Sequence, residues 1–321
     1  MSNRILNIDN LQCTAKTIWG SRVLLDISHL DMCKGEILGL IGESGAGKSL
    51  LAQSILKILP RNVKKTKGSI SFDGVDIDSI TDRIMSKEYR GQKMSMIFQD
   101  PMASLNPVFT VYEQIYAVIK QHNHHLTSVE INGRAIEILK LVRLSDPEIT
   151  MTKYPHELSG GMRQRVLIAL ALCSGSKFLI SDEATRALDV TIQAGILELL
   201  KHLREELGLS ILFISSNVPL AVSISDRVGI LYEGQIVEVG CCNDILTSSK
   251  HIYTQQFLAS LTTPDMKGKK INVALTEKSS VISHGCRFAN KCHHATNKCL
   301  AIAPFLKEVG IGHYVACHLY N

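Results

Sequence analysis

No run of eighteen apolar residues occurs anywhere in this chain of 321 residues, so no membrane-spanning helix is expected. The stretch MSNRILNIDNLQCTAKT carries charge and polarity where a secretion signal needs an apolar core, so export is not expected either. A basic stripe is also missing. The net charge of +5 comes from 35 Lys and Arg against 30 Asp and Glu, scattered along the chain, which leaves nucleic acid outside the expected partners. No internal repeat is present. What remains is 45% hydrophobic and 20% charged, an ordinary globular balance with room for one large or two modest domains.

Cysteine placement is uneven. Cys13, Cys33, Cys173, Cys241 and Cys242 are dispersed and read as buried small hydrophobes. Cys286, Cys292, Cys299 and Cys317 crowd into the last 36 residues, and in a reducing compartment such crowding points to metal more than to disulfides.

Strand-type and helix-type segments alternate from the start. Residues 5–41 hold three β-type runs, ILNIDNLQC, VLLDISHL and ILGLIG, and Leu50–Leu59 then reads as a helix. Strands are expected at 68–75, 93–98, 177–181 and 210–215, and a hairpin over 227–239 turning about Glu233-Gly234. Helical spacing covers about 111–144, 163–173 and 192–207. This alternation implies an α/β fold with a largely parallel sheet and helices on both faces. Residues 262–282 are polar and lysine-rich and read as a linker between residues 1–261 and a small four-cysteine module over 283–321.

The end of the third run is Gly42-Glu43-Ser44-Gly45-Ala46-Gly47-Lys48-Ser49, which fits G-x-x-x-x-G-K-S in its strand–loop–helix context. Glycines there let backbone N–H groups face phosphate oxygens, and the helix that follows adds the positive end of its dipole. Lys48 is placed to reach the β- and γ-phosphates of ATP, and Ser49 to ligate magnesium. Phe178-Leu179-Ile180-Ser181-Asp182-Glu183 is an apolar strand that delivers two acids at its tip. Asp182 suits the surroundings of Mg2+, and Glu183 suits a general base acting on water.

With YPHELSGGMRQR at Tyr154–Arg165, these motifs make roughly the first 260 residues resemble an ABC transporter nucleotide-binding subunit. The resemblance implies a P-loop ATPase core with an antiparallel β subdomain and a helical signature subdomain at about 100–162. It implies that Ser159, Gly160, Gly161 and Gln164 complete an ATP site on a neighbouring subunit. It places Gln99 at the Q-loop, which contacts magnesium and water, and Ala187-Leu188-Asp189 at the D-loop, which crosses the dimer interface. It also sets Trp19 where the family stacks an aromatic on adenine, with a plain core tryptophan as the alternative. FQDPMASLNP and the tail GCRFANKC…C…HYVACH are similar to the oligopeptide, dipeptide and nickel importer branch. Membership there implies a paralogous ATPase partner, two transmembrane permease subunits, an extracytoplasmic solute-binding protein and a peripheral position on the cytoplasmic face of the membrane. Soluble ABC ATPases of repair or translation typically carry coiled-coil insertions or tandem cassettes, and the sequence has neither.

Two departures from the family pattern stand out. Where the family has Ile-Thr-His-Asp, this chain has Ile214-Ser215-Ser216-Asn217, and counting back ten from Asp226 puts Ser216 at the place of the γ-phosphate-contacting histidine. A serine hydroxyl has neither the reach nor the ring N–H of imidazole. The expectation is an own site that binds ATP and hydrolyses it slowly or not at all, the alternative being that Ser216 with a water suffices and Glu183 still works as base. The second departure, Asp182-Glu183-Ala184-Thr185 for Asp-Glu-Pro-Thr, is milder. In the tail, Cys286-x5-Cys292-x6-Cys299-x17-Cys317 is wider than the usual paired zinc spacing. Thiolates also hold 4Fe–4S clusters, and the resemblance implies such a cluster here, with zinc as the alternative.

Overall fold

The computed structural model describes residues 3–18, 20–186, 188–260 and 285–320. Its packing falls into two compact units. One comprises residues up to Ile5, Cys33–Ile37 and Ile77–Ile214; the other comprises Leu6–Met32, Leu38–Asp76 and the chain from Ser215 onward. Trp19, Ala187 and the expected linker 262–282 lie outside the described residues.

The second unit carries a four-stranded sheet in the order β2 (Gly20–Cys33), β1 (Arg4–Thr17), β4 (Val63–Phe72), β5 (Val75–Asp76). β1 buries Leu6 and Ile8 and then Leu11, Cys13 and Ala15, so the inward positions change from even to odd. A bulge makes that change possible. The register against β4 shifts between Asp9 and Gln12, and Asn10 takes a φ of 49° there. Gly68 faces it with a φ of 81°, where a Cβ would run into the Asp9 and Asn10 carbonyls.

In the same unit β3 (Ile37–Ile41) pairs parallel with β9 (Arg227–Tyr232). β3 is buried at every position, as a strand covered on both faces must be. β9 then turns back into β10 (Gln235–Cys241) through two residues, Glu233 at φ 44° and Gly234 at φ 81°. Two successive positive φ values are the type I′ turn that matches strand twist. Beyond β10 the sheet continues antiparallel through β12 (His313–Val315) to β11 (Lys307–Gly310). In this unit the expected parallel pairing holds between β3 and β9, and from β9 through β10 and β12 to β11 the pairing is antiparallel. The helices of this unit are α1 (Lys48–Ile55), α9 (Val218–Ile224), α10 (Cys242–Ser248), α11 (Ile252–Ala259) and α12 (Asn297–Ala301).

The first unit contains three parallel strands in the order β6 (Met94–Ile97), β7 (Phe178–Asp182), β8 (Ser210–Ser215). Its helices are the short α2 (Asp82–Ile84) and α3 (Pro101–Ser104), then α4 (Val111–His122), α5 (Ser128–Leu141), α6 (Pro147–Thr152), α7 (Gly160–Leu172) and α8 (Val190–Leu207). The helical pattern read as continuous over 111–144 is two helices. Thr127 and Glu130 form a capping box that starts α5, as Thr110 and Glu113 do for α4. Among the described residues, no helix is long and apolar enough to cross a membrane.

Candidate functional site

The P-loop leaves β3 at Ile41 and enters α1 at Lys48. Gly42 is buried against the backbone of Leu231, whose carbonyl a Cβ would strike, so close strand approach fixes glycine there. Gly45 and Gly47 take φ values of 82° and 105°, which only glycine adopts readily. Glu43, Ser44, Gly45 and Ser49 are exposed, whereas Ala46 and Lys48 are buried. The Lys48 ammonium donates to the carbonyls of Gly42, at 2.8 Å, and Glu43, at 3.0 Å. The loop thus presents exposed amides at a helix N-terminus with one cation held in its interior, an arrangement suited to polyphosphate.

The β9–β10 turn supports this loop. Gly234 N–H donates to the Ala46 carbonyl at 2.7 Å, and Asp26 N–H donates to the Gly234 carbonyl at 2.8 Å. A Cβ at Gly234 would collide with the Leu24 carbonyl.

In the first unit, β7 is buried along its whole length and ends on Asp182, itself 5% exposed. Glu183 follows at a φ of 46°, a left-handed conformation rare for a residue with a side chain. Its N–H donates to the Ile214 carbonyl at 3.0 Å, which fixes the turn that aims the carboxylate off the strand. Strain of this kind costs on the order of 1–3 kcal/mol and concentrates at functional sites. Arg186 Nη1 donates to Glu183 Oε2 at 3.0 Å, a partner the sequence reading missed although the i, i+3 spacing was in view. Gln99 is exposed just beyond β6, and Asp100 caps α3 by accepting from Met102 N–H at 2.8 Å.

The signature residues sit at the start of α7. Ser159 is exposed and caps the helix, its Oγ accepting from Met162 N–H at 3.3 Å. Gly161 is buried against Ile192, 3.0 Å from where its Cβ would stand, and Gly160 is half-buried beside Leu188. Gln164 is 0% exposed, and neither of its amide atoms has a hydrogen-bond partner among the described residues. It faces inward, so Ser159 and the helix N-terminus form the part of this segment open to another molecule. Asp189 is exposed and caps α8, accepting from Ile192 N–H at 2.9 Å.

Ser216 is half-buried between the last residue of β8 and Asn217, the N-cap of α9. Asn217 Oδ1 accepts from Leu220 N–H at 3.2 Å, and Asn217 N–H donates to Ser215 Oγ at 3.0 Å. The tip of the strand is thus closed by hydroxyl and amide groups and holds no imidazole.

At the C-terminal end, Cys286, Cys292, Cys299 and Cys317 line one cavity of about 90 Å³ with His251 and Phe288. Cys286 N–H donates to the Cys299 carbonyl at 2.8 Å, and a Cβ on Gly285 would strike that carbonyl. Burial, and then the charges of the other three thiols, push the Cys286 thiol up to about 11. Burial also raises Cys292 and Cys317, helped by Cys299 at the first and by Cys292, Cys299 and Glu238 at the second. Among the described residues, no three His, Cys, Asp or Glu side chains converge closely enough to hold a single metal ion. Of the dispersed cysteines expected to be buried, Cys13 is, whereas Cys241 is exposed and caps α10 through its sulfur.

Residues 25–186 match the family model described as ABC transporter, and residues 237–299 match that of the oligopeptide/dipeptide transporter C-terminal region. The oligopeptide transport ATP-binding protein OppD of Bacillus subtilis is 39% identical over 99% of this chain and 89% of its own length. AppD of the same organism, also an oligopeptide transport ATP-binding protein, is 43% identical over 90% and 88%. A probable peptide ABC transporter ATP-binding protein of Sinorhizobium fredii, y4tR, is 41% identical over 89% and 86%. Among solved structures, the ATP-binding cassette MJ0796 in its dimeric, ADP- and Pi-bound post-hydrolysis state superposes with a TM-score of 0.66. It is 27% identical over 74% of this chain and 98% of its own.

Proposed function

The chain belongs to the ABC transporter family and is an ATPase subunit, and from that premise we propose that it energises a peptide importer from the cytoplasmic face of the membrane. Its relatives in Bacillus subtilis are named for oligopeptide transport, and the match over 237–299 is to a region particular to such transporters. On this reading the chain pairs with a paralogous ATPase, docks on two transmembrane permease subunits and serves a system whose solute is delivered by an extracytoplasmic binding protein.

In the unit that carries the P-loop, Lys48 and the loop amides are the groups for the ATP phosphates and Ser49 is a ligand for Mg2+; in the other unit, Asp182 suits the surroundings of Mg2+ and Gln99 suits metal and water. Glu183 is the general base. The observation that carries the finer reading is Ser216 at the end of β8. Charge developing on the γ-phosphate lacks the imidazole N–H that would stabilise it, and losing one such donor typically costs a hundred- to a thousandfold in rate. The exposed Ser159 and the N-terminus of α7 remain fit to cap a neighbour's γ-phosphate. This chain therefore binds ATP in its own site, hydrolyses it slowly, and completes the fast site built on its partner. The test compares Glu183→Gln here with the matching change in the partner ATPase: the partner's change abolishes turnover and this one leaves most of it. Equal losses from both overturn the asymmetry.

What supports a 4Fe–4S cluster over zinc is the spacing of Cys286, Cys292, Cys299 and Cys317, wider than paired zinc ligands, together with the tail's resemblance to its branch. All four line one cavity. Such a cluster would cross-link segments of a small region with little core of its own. Because burial raises the thiols of Cys286, Cys292 and Cys317, loading would release protons, so affinity for the metal rises with pH. Iron and zinc analysis of anaerobically purified protein, with its visible absorption, decides between the two; zinc at one per chain without iron overturns the cluster.

A further inference from the structure

The residue that follows Cys286 does not face the thiol cavity. Arg287 donates through Nη1 to the carbonyl of Glu233, the first residue of the β9–β10 turn. The second residue of that turn, Gly234, donates its N–H to Ala46 inside the P-loop. Two hydrogen bonds therefore separate the four-cysteine region from the phosphate loop. The contact is reinforced next door. Phe288, which lines the thiol cavity, meets Tyr232 edge-on at 5.3 Å between ring centroids and Tyr253 at 5.5 Å. Burial, and after it the nearby charge of P-loop Glu43, pushes the Tyr253 phenol up, so the aromatic cluster also borders the loop.

We propose that Arg287 is a positioning residue for nucleotide binding: it fixes the Glu233–Gly234 turn that holds the P-loop, so affinity for ATP depends on the packing of the C-terminal four-cysteine region. The turn needs such a tie. Both of its residues sit at positive φ, a conformation that costs the non-glycine Glu233 energy, and the Glu233 carbonyl lies outside the strand ladder. A guanidinium is suited to this task because it stays charged and donates in a fixed fork while half-buried. Asp26 and Glu233 favour its charged form against the cost of burial. The inference rests on residues 42–49 being the nucleotide site.

The test uses the full-length chain, with Arg287→Ala, Arg287→Lys and Lys48→Ala compared by displacement of a fluorescent trinitrophenyl-ATP with MgATP. Hydrogen exchange of the nucleotide-free proteins is followed in parallel. Arg287→Ala is expected to weaken MgATP about tenfold, within the usual range of coupling between sites. Faster exchange should be confined to residues 42–48 and 233–235 beyond the immediate C-terminal neighbours. Arg287→Lys, which keeps a charged donor, should recover most of the affinity. Unchanged affinity in Arg287→Ala overturns the proposal, as does faster exchange only within 285–320. Should Arg287→Ala not fold, Arg287→Met replaces it, filling the space without a donor, and wild-type affinity there overturns the proposal equally. Lys48→Ala separates the two levels: if it binds MgATP normally, the P-loop assignment itself is wrong.

Discussion

Replacing Ser216 by histidine is the most informative change available in a single side chain. If the missing imidazole is what slows this subunit's own site, Ser216→His raises hydrolysis there at least tenfold, read in a complex whose partner site is disabled; an unchanged rate locates the defect elsewhere. Arg186 offers a second reading at the same scale. Its own side chain is 56% exposed although that of Glu183 is only 9% exposed, so solvent still screens the guanidinium and the pair contributes about 1 kcal/mol. Arg186→Ala should therefore change hydrolysis at this subunit's own site, read with the partner site disabled, by no more than about fivefold, whereas Glu183→Gln abolishes what hydrolysis that site has. A hundredfold effect of Arg186→Ala would give it a role this account does not. The positions of Lys48, Glu183 and Ser216 after buried strands, and of Asp182 at the end of one, were legible in the sequence because the apolar runs of those strands are unmistakable. Arg186 was missed because i, i+3 charge pairs in turns are common. The inward face of Gln164 depends on how α7 packs, which the string LSGGMRQR does not express.

The elements carry their own consequences. Thr127 caps α5, and Thr127→Ala should cost about 1 kcal/mol in denaturant unfolding of the intact chain, with a loss below a few tenths contradicting the capping role. The same residue explains why one helix was read over 111–144: apolar spacing ran through Asn123–Leu126 and masked the T-x-x-E start signal. At the start of α11, His251 accepts from Tyr253 N–H through Nδ1 at 3.1 Å and is 2% exposed. Burial lowers its pKa from 6.5 to about 4. The folded state thus keeps this ring neutral while the unfolded chain takes up a proton below pH 6.5. Stability therefore falls as pH drops from about 6.5 to about 4 and levels off below, by roughly 3 kcal/mol in all. His251→Asn keeps a capping group without the ring, so its urea midpoint should vary less over that window; an identical slope would remove His251 as the cause. The hairpin at Glu233-Gly234 was readable from its two turn residues, but its contacts with Ala46 and Arg287 were not. They join residues far apart in sequence, and no local periodicity encodes them.

At the scale of the whole molecule, the cassette architecture followed from the order of motifs, and the mixed sheet did not. β12 is three residues long and earns its place by pairing with β10, a long-range event invisible in so short a segment. That pairing brings the four cysteines into the same compact unit as the P-loop. Serine at Cys286, Cys292, Cys299 and Cys317 together should abolish iron binding and, through the Arg287 contact, weaken MgATP; intact affinity would confine the cysteines to a local role. The central claim concerns the assembled importer, in which this chain holds ATP on its own P-loop while its signature acts on the partner's nucleotide. The direct measurement is the identity of the nucleotide retained by the complex after a single turnover, quenched and separated by chromatography. ATP and ADP are expected in roughly equal amounts, the ATP lost when Lys48 is replaced by alanine. Nearly complete conversion to ADP would contradict it.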